Sequence, residues 1–531
     1  MTDHYFDPVN GSDSNNGFTP DAAKKSYDTY IQSFGASGDR FFLKRGVDHI
    51  ISTANTGVRS GVSDSQRTLL AAYGVAQVPY AFVKNPSATG NMILNGSGRS
   101  YVDFEDLYFD GQGVCQYSIY LFASGATPNV GHRISRCYFT NMLSGQAGLI
   151  FGGTATSTGD TGYYLIEDSH FFENPGHGLI PNGAHDIQVR WCKFYRNGFD
   201  APFGGHGFSA KYRVTDATSG WTSPGANKIW QRNLAAYEPD VYYVKTSVTA
   251  YKRLAKNTST PTTPTAGQFG VSAGILYINV DSTSDPGTQA VNYAWGRCYN
   301  LMVEDCESWG NISDPRAQYL EGHGFAADAY TDDTVFRRCY SHNNQGAGFS
   351  LNLGDRNVVE SSIAEGNGVS AVSAASCENV VIKHNTLQFN NKGASPYNGE
   401  IVFFPNAKNG VIKNNLLKGT TSFAVDLDAS CTGFSGNKNG ANGFQAVERG
   451  SVLTNTITAD PQLNPNRYPT NGSFIGAGEA LGGRDFYGLP YAASPSIGAV
   501  EQMPAGTITT RVIVDRAVAD RYTKNKAPVR S

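Results

Sequence analysis

The chain has 531 residues, of which 60 are Gly and 12% are aromatic, and its formal net charge at pH 7 is −3. This balance gives no basic surface of the kind that nucleic acids require, so we expect no nucleic-acid partner. No apolar run reaches the roughly 20 residues that span a bilayer, so we expect no membrane insertion. Abundant Gly and aromatic residues favour many short strands and turns over helices.

The first predicted element is a cap. The opening stretch MTDHYFDPVNG lacks a basic segment followed by an apolar one, so we expect no signal peptide. Further on, Tyr27, Tyr30, Ile31 and Phe34 recur at helical spacing. They predict a short amphipathic helix. If the repeat described next forms a solenoid, this helix would cover its first coil.

A repeat of about 23 residues follows, in which an apolar residue and two variable residues precede Cys, Ser or Asn. The phrase begins at Ile134, Ile166, Val189, Val303, Phe336, Val359, Ile382, Ile412 and Phe434. Five residues after its small residue, most coils carry an Asn: Asn174, Asn197, Asn311, Asn344, Asn367, Asn390 and Asn442. This period, without a helical stripe, predicts three short strands per turn of a parallel β-solenoid with an inward Asn ladder.

Cysteines occupy the small inward position in several coils, namely Cys137, Cys192, Cys306 and Cys339. They are predicted to be buried free thiols, which suits folding in a reducing cytoplasm.

One interval, from Cys192 to Cys306, is far longer than the others. We therefore predict that a small β-rich module leaves the solenoid and returns, so that these two cysteines lie on neighbouring coils about 4.8 Å apart. The predicted division begins with an N-terminal capping segment, residues 1–60. Two β-helix parts, 61–211 and 297–459, lie on either side of the inserted module, 212–296. A C-terminal cap over the last coil, 460–502, and a tail, 503–531, complete the chain.

Three coils carry a Gly-His-Gly phrase, at His177, His206 and His323. In the aligned coils, the fifth residue after this position is polar: Asn182, Lys211, Asp328 and Asn352. Side chains two apart on a strand share a face, so Arg213 is expected beside Lys211, and Tyr330 beside Asp328. The candidate catalytic residues are His206, Lys211, Arg213, Glu321, His323, Asp328 and Tyr330.

Longer loops precede the second and third histidines and predict a wall beside a groove suited to an extended polymer. Aromatic residues of the module could stack on sugar rings, and its basic character suits an acidic glycan. The candidate substrate-binding residues are His177, Asn182, Asp200, Trp221, Trp230, Asp314 and Asn352. No metal-ligand spacing of Cys and His is present, so we expect no metal and no other cofactor.

Two chemistries fit these residues. In β-elimination, His206 or His323 would be the base, Lys211 or Arg213 would stabilise the enolate, and Tyr330 would be the acid. In hydrolysis, Asp328 and Glu321 would be the paired carboxylates.

The phrases DPVNGSDSNNGFTPDAA, GDRFFLKRG, RTLLAAYG and SPSIGAVE resemble the beginning and end of pectate-lyase-like proteins. The resemblance implies an all-β, right-handed parallel β-helix, and activities of polysaccharide lyases, some glycoside hydrolases, uronate epimerases and bacteriophage tailspike depolymerases. Since no signal peptide is seen, the tailspikes are favoured. They imply a homotrimer that is folded in the cytoplasm and located on a virion tail or outside the cell after host lysis, with virion attachment through a region absent from this sequence.

The predicted function is a depolymerase that cleaves a bacterial surface polysaccharide (capsule, O-antigen or exopolysaccharide), with β-elimination at an acidic sugar favoured. An endo-glycoside hydrolase of the same substrates, and a non-catalytic glycan-binding receptor or adhesin, are the alternatives.

Overall fold

The chain is described here from a computed structural model. It describes residues 1–31, 35–52, 57–75, 77–86, 92–143, 147–153, 160–200, 205–211, 213–216, 222, 229–233, 241–247, 250–253, 255–256, 258–265, 268–272, 275–279, 291–295, 298–313, 321–328, 331–391, 398–420, 423–450 and 452–501.

Three parallel sheets form a solenoid, and successive coils add neighbouring strands to each. The first sheet comprises Asp3–Phe6, Arg40–Lys44, Thr68–Tyr73, Val102–Glu105, Asn129–Val130, Arg133–Ser135, Thr161–Glu167, His185–Arg190, Cys298–Glu304, Thr331–Arg337, Val358–Glu360, Val381–Lys383, Val411–Lys413, Ser435–Asn437 and Leu453–Thr454. The second sheet comprises Asp48–Ile50, Ala81–Lys84, Leu107–Asp110, Tyr138–Thr140, His170–Phe172, Lys193–Tyr195, Glu307–Trp309, Tyr340–His342, Ile363–Glu365, Thr386–Gln388, Leu416–Lys418 and Gly440–Asn442. The third sheet comprises Met92–Asn95, Tyr117–Phe122, Leu149–Gly152, Leu179–Asn182, Phe208–Ala210, Phe325–Ala327, Phe349–Asn352, Val372–Ala375, Gly399–Phe403, Phe423–Leu427 and Ala446–Arg449.

The predicted register across the long interval is confirmed. Val189 pairs with Val303 in the first sheet, and the Cys192 N–H lies 3.4 Å from the Cys306 Sγ. The two cysteines therefore lie on consecutive coils, although 114 residues separate them in sequence.

The strands between the two coils pair with one another in two further sheets, apart from the solenoid ladders. One sheet is formed by Arg213–Asp216, Val241–Ser247, Ala250–Arg253 and Val291–Trp295, and the other by Trp230–Asn233, Ala255–Lys256, Gln268–Ser272 and Ile275–Asn279.

Aromatic stacking fills the solenoid core. The rings of Phe109, Phe139, Phe171 and Phe194 form one stack with centroid separations of 5.3, 4.7 and 5.1 Å. Each ring is fully buried, so this stack combines apolar burial with offset aromatic packing between coils.

The Asn ladder is present at the corner between the second and third sheets. In each step the backbone N–H and the Nδ2 of one Asn donate to the Oδ1 of the next, as from Asn197 to Asn311 at 3.1 and 3.0 Å. The ladder ends at Glu400, whose two carboxyl oxygens accept from the N–H (3.0 Å) and Nδ2 (2.6 Å) of Asn390.

Two parts of the predicted repeat are wrong at its end. Gly436 pairs with Ile412, so the coil is shifted by two residues from the phrase that begins at Phe434. Consequently Asn439, and not Asn437, takes the small inward position of this coil and accepts from the Asn415 Nδ2. Asn442 lies outside the Asn ladder, and its Nδ2 donates to the Thr458 carbonyl.

All eight cysteines are free, and those predicted in the inward position are buried. Burial raises the pKa of the thiols of Cys137, Cys306 and Cys339, so these side chains act as small apolar residues of the core.

Helical structure is limited in the described residues to Tyr27–Ile31 and the 3₁₀ turns Pro20–Ala22 and Gly472–Phe474. Tyr27 and Ile31 are buried against the first coil, as the predicted cap requires. Among the described residues, no helix is both long and apolar enough to cross a membrane.

The C-terminal segment, residues 460–501, differs from the prediction of a cover over the last coil. Its described part runs along the outer side of the second sheet, where Phe486 and Val500 pack on Ile363, and Ile497 packs on Leu416. These outward apolar side chains are the physical reason, because the segment removes them from water.

Candidate active site

A Gly after each histidine sets the corner at which the third sheet begins. A Cβ on Gly207 would lie 2.4 Å from the Ser308 Oγ and 2.7 Å from the Gly324 carbonyl oxygen. Only Gly fits there, because neighbouring coils approach so closely. The Gly therefore faces inward, and the histidine before it lies towards the outer face of the third sheet, the side on which the sequence predicts a groove.

His177, His206 and His323 stack on one another across three consecutive coils, as the aligned phrases predict. Their ring centroids are 4.9 Å apart between the first two and 4.8 Å apart between the second and third. We call these three residues the histidine ladder.

Backbone hydrogen bonds set the ring protonation of the histidine ladder. The N–H of His206 donates to the His177 Nδ1 (3.1 Å), that of His323 to the His206 Nδ1 (3.1 Å), and that of Ala347 to the His323 Nδ1 (2.8 Å). A backbone N–H can only donate, so each Nδ1 is the acceptor and the proton of the neutral ring is on Nε2. Each imidazole thus carries an N–H donor on its other side.

The imidazoles are held neutral. Burial lowers the pKa of His177 and of His206 well below the usual 6.5, and nearby Lys211 acts in the same direction. Burial lowers the pKa of His323 to about 4, although the charge of Asp328 opposes this shift. At neutral pH the ladder therefore contributes hydrogen-bond donors rather than positive charge.

The predicted polar row crosses the third sheet beside the ladder. Lys211 forms a parallel backbone β-bridge with Asn182 on the preceding coil. The pairing of Ala210 with Ala327 places Asp328 next in the row. The Asn352 Nδ2 then lies 3.4 Å from the Asp328 Oδ1. The Lys211 Nζ lies 3.2 Å from the His177 Nε2, so the row and the ladder meet in one cluster.

Glu321 joins this cluster from the loop before the third strand of the site. Its Oε2 lies 3.9 Å from the His206 Nε2, and its side chain is 31% exposed. Burial and then the negative charge of Asp328 raise the pKa of Glu321 to about 7, against the opposing effect of Lys211. A carboxyl group that holds its proton near neutral pH is suited to act as a general acid.

Sequence reasoning missed Ser209, which lies between His206 and Lys211. Its neighbours Phe208 and Ala210 are core residues, so its side chain points to the outer face of the third sheet, where it is buried. Its Oγ is buried without a hydrogen-bond partner among the described residues, as is the Asn182 Oδ1. The alternation within the GHGFSAK phrase was the available signal, because Ser209 and Lys211 are two residues apart.

The other predicted residues have mixed outcomes. The Asp200 N–H donates to the Pro175 carbonyl (3.1 Å), so its loop lies beside the histidine ladder.

Trp230 is only 7% exposed, so the prediction that it stacks on sugars is wrong: the ring is buried in the module. Arg213 begins a strand of the module, in which it pairs with Trp295. Three candidates lie outside the described residues: Trp221, Asp314 and Tyr330.

Within the described ranges, no group of three or more His, Cys, Asp and Glu side chains is arranged to hold a metal ion.

Comparison with known proteins identifies the architecture. A family model for a right-handed beta-helix region matches residues 278–458. The A-module of the mannuronan C-5 epimerase AlgE6 of Azotobacter vinelandii is 14% identical, with a TM-score of 0.50 over 82% of this chain and 93% of that chain. XylC, in a complex with xylose, is 8% identical, with a TM-score of 0.53 over 94% of this chain and 98% of that chain. A search of curated proteins found no match.

These likenesses and the three parallel sheets confirm the predicted all-β fold, a right-handed parallel β-helix. They also confirm the architecture that the pectate-lyase-like phrases implied.

Proposed function

We propose that the protein is an enzyme that hydrolyses glycosidic bonds within a polysaccharide bound along the groove of the third sheet. The observation that carries this proposal is Glu321, a partly exposed carboxyl group whose pKa is raised to about 7 in a cluster with Asp328. A protonated and an ionised carboxyl group at one site are the pair that glycosidic hydrolysis uses.

In the proposed reaction, Glu321 donates its proton to the glycosidic oxygen as the bond to the anomeric carbon breaks. Asp328 supplies the carboxylate, which either attacks the anomeric carbon or takes a proton from the attacking water. The leaving sugar gains the proton of Glu321, and water supplies the new hydroxyl group. The Nε2–H of His206, 3.9 Å from the Glu321 Oε2, stabilises the negative charge that forms on Glu321 as it loses its proton.

Elimination with a histidine base is less well supported. A base must offer a free lone pair, and the Nδ1 of His206 and of His323 already accepts a backbone N–H. The other nitrogen of each neutral ring carries the proton, so neither ring has a lone pair directed at the groove.

One contact favours elimination as the second candidate. The Lys211 Nζ is 3.2 Å from the His177 Nε2, so this amine lies in the same cluster as Glu321 and Asp328. A lysine amine at that place is the side chain that would remove the proton next to a uronate carboxyl group. This alternative assigns Lys211, rather than a histidine, as the base.

For substrate, we retain the bacterial surface polysaccharide predicted from the sequence. The epimerase module is named for mannuronan and XylC was solved with xylose, so two proteins of this fold are connected with sugars. The homotrimer, the virion tail and the extracellular location stay predictions.

The test is incubation of the full chain with a panel of neutral and acidic bacterial capsule, O-antigen and exopolysaccharide preparations. Size-exclusion chromatography measures chain shortening, a reducing-sugar assay measures new ends, and ultraviolet absorbance detects an unsaturated uronate. We expect shortening and new reducing ends without absorbance, both lost in Asp328→Asn.

Absorbance that is lost in Lys211→Ala would replace hydrolysis with elimination. Binding of a polysaccharide without shortening would favour the non-catalytic receptor.

A further inference from the structure

A pocket separate from the groove lies between the outer face of the second sheet and the C-terminal segment. Its volume is about 440 Å³, within the roughly 300–1,000 Å³ of small-molecule sites. The solenoid contributes Glu365, Gln388, Phe389 and Lys418, and the turn at Leu463–Arg467 forms the opposite wall. The strand of Gln388 belongs to the coil that continues into Gly399–Phe403, three strands beyond Phe325–Ala327 in the third sheet.

Phe389 is unusual for its position. It has a φ of 53° and is 43% exposed, although bulky residues rarely adopt the left-handed region. The residues at the same position of the neighbouring coils are polar or glycine: Glu173, Arg196, Gly310, Asn343, Gly366 and Gly419. An exposed aromatic ring in such a backbone conformation costs stability and gains no core packing, which points to a role in binding.

Gly366 and Gly419 flank Phe389 on the two adjacent coils, as the pairing of Glu365, Gln388 and Lys418 shows. Neither neighbour carries a side chain that could stack on the ring. Phe389 therefore differs from the aromatic row of the same sheet, in which Tyr195 and Trp309 stack face to face at 4.5 Å.

Hydrogen-bond donors and acceptors lie around the Phe389 ring. The Arg467 Nη2 donates to the Glu365 Oε2 (2.7 Å), and the Lys418 Nζ donates to the Asp460 Oδ1 (2.9 Å). The buried Gln388 amide lies between them in the strand register. Adjacent donors and acceptors beside an aromatic ring are the groups that bind the hydroxyl groups and the apolar face of a sugar.

We propose that this pocket is a second, non-catalytic saccharide site that holds a sugar ring against Phe389. Hydroxyl groups of that ring bind between Glu365, Gln388 and the cations of Arg467 and Lys418. The ligand is a pyranose unit of a glycan, and the site retains the polymer without taking part in its cleavage. The proposal does not depend on the chemistry of Glu321 and Asp328.

The test places a fluorophore in the pocket of the full chain with Phe389→Trp in a Glu321→Gln background. Xylohexaose and a galacturonate hexamer serve as neutral and acidic probes. We expect one probe to shift the added tryptophan emission, with no such change in the Glu321→Gln parent. Calorimetry should show that Phe389→Ala weakens binding of that probe about tenfold, as expected for an aromatic anchor.

Phe389→Gly separates binding from structure. Gly adopts the left-handed region without strain, so the variant should keep or raise Tm while binding falls as in Phe389→Ala. A clear fall in Tm would assign Phe389 a structural role and overturn the proposal. Absence of binding by either probe, or unchanged affinity in Phe389→Ala, would also overturn it, whether or not the chain cleaves polysaccharide.

Discussion

Two polar ladders run along the same solenoid, and they use their hydrogen bonds differently. In the inner Asn ladder, Asn311 donates with both its backbone N–H and its Nδ2 to the Asn344 Oδ1 (3.1 and 2.7 Å). In the outer histidine ladder, each ring accepts one backbone N–H at Nδ1, so its Nε2 carries the ring proton.

This difference assigns the inner Asn ladder to the stability of the fold and the outer histidine ladder to the chemistry of the site. The Asn amides are buried and bonded to one another, so they satisfy the backbone at a corner and leave little for a ligand. The histidines satisfy the backbone with one nitrogen and have the other available beside Lys211 and Glu321. We therefore expect substitutions in the inner ladder to change stability and substitutions in the outer cluster to change activity.

The largest effect is expected at Glu321. Glu321→Gln removes the acidic proton and should lower kcat about 1,000-fold, within the range for general acid catalysis. Because Glu321 has a pKa of about 7, the wild-type rate should fall as pH rises above 7. A matched control is Glu378→Gln, a carboxylate of similar exposure (33%) paired with Lys408 on the surface. Equal loss in both variants would contradict the assignment.

The inner ladder should respond in stability. Asn344→Ala removes the acceptor of two donors of Asn311 and leaves them buried, which should lower the free energy of unfolding by about 2–5 kcal/mol. Chemical denaturation measures this change. Activity per folded molecule should remain at the wild-type value, and a selective loss of kcat would place the Asn ladder in the catalytic machinery.

His206→Asn distinguishes the two functions of one ladder residue. The shorter Asn side chain can still accept the His323 N–H but lacks the Nε2–H that faces Glu321. We expect kcat to fall about 100-fold, the cost of losing one positioned donor, while Tm stays near the wild-type value. A parallel fall in Tm would show that the histidine ladder is mainly structural.

The smallest effect is expected from Glu400, where the inner ladder ends. Burial raises the pKa of Glu400 to about 8, from 4.5 for an ordinary Glu, although Asn390 opposes the shift. The folded state therefore binds this proton more tightly than the unfolded state. Its contribution to stability is fully present below pH 4.5 and declines as pH rises to about 8. Tm should fall over this interval less in Glu400→Gln than in the wild type; identical profiles would contradict the shift.

Sequence reasoning predicted the solenoid because its rule is local and repeated. The small residues at Cys192 and Cys306 have the same place in their coils, so their pairing followed from register alone. The repeat rule failed at the last coil. There the phrase was placed at Phe434, whereas the residue that pairs with Ile412 is Gly436, two residues later. Chance matches of this kind arise where one apolar residue and one Asn are the whole signal.

The site was only partly predictable. The Gly-His-Gly phrases identified the histidine ladder, and the fixed offset identified Lys211 and Asp328. The ring protonation was not predictable, because it depends on the backbone N–H of the next coil. Nor was the burial of Trp230, since aromatic composition does not distinguish the core of a small module from its surface.

The most direct test of the central claim is the fate of water in the reaction. Cleavage of a susceptible polysaccharide in water enriched in heavy oxygen, followed by mass spectrometry of the products, gives the answer in one measurement. Hydrolysis by Glu321 and Asp328 predicts one heavy oxygen in each product pair. Products that contain no heavy oxygen and include one fragment lighter by a water molecule would contradict it and show that the bond is broken by elimination.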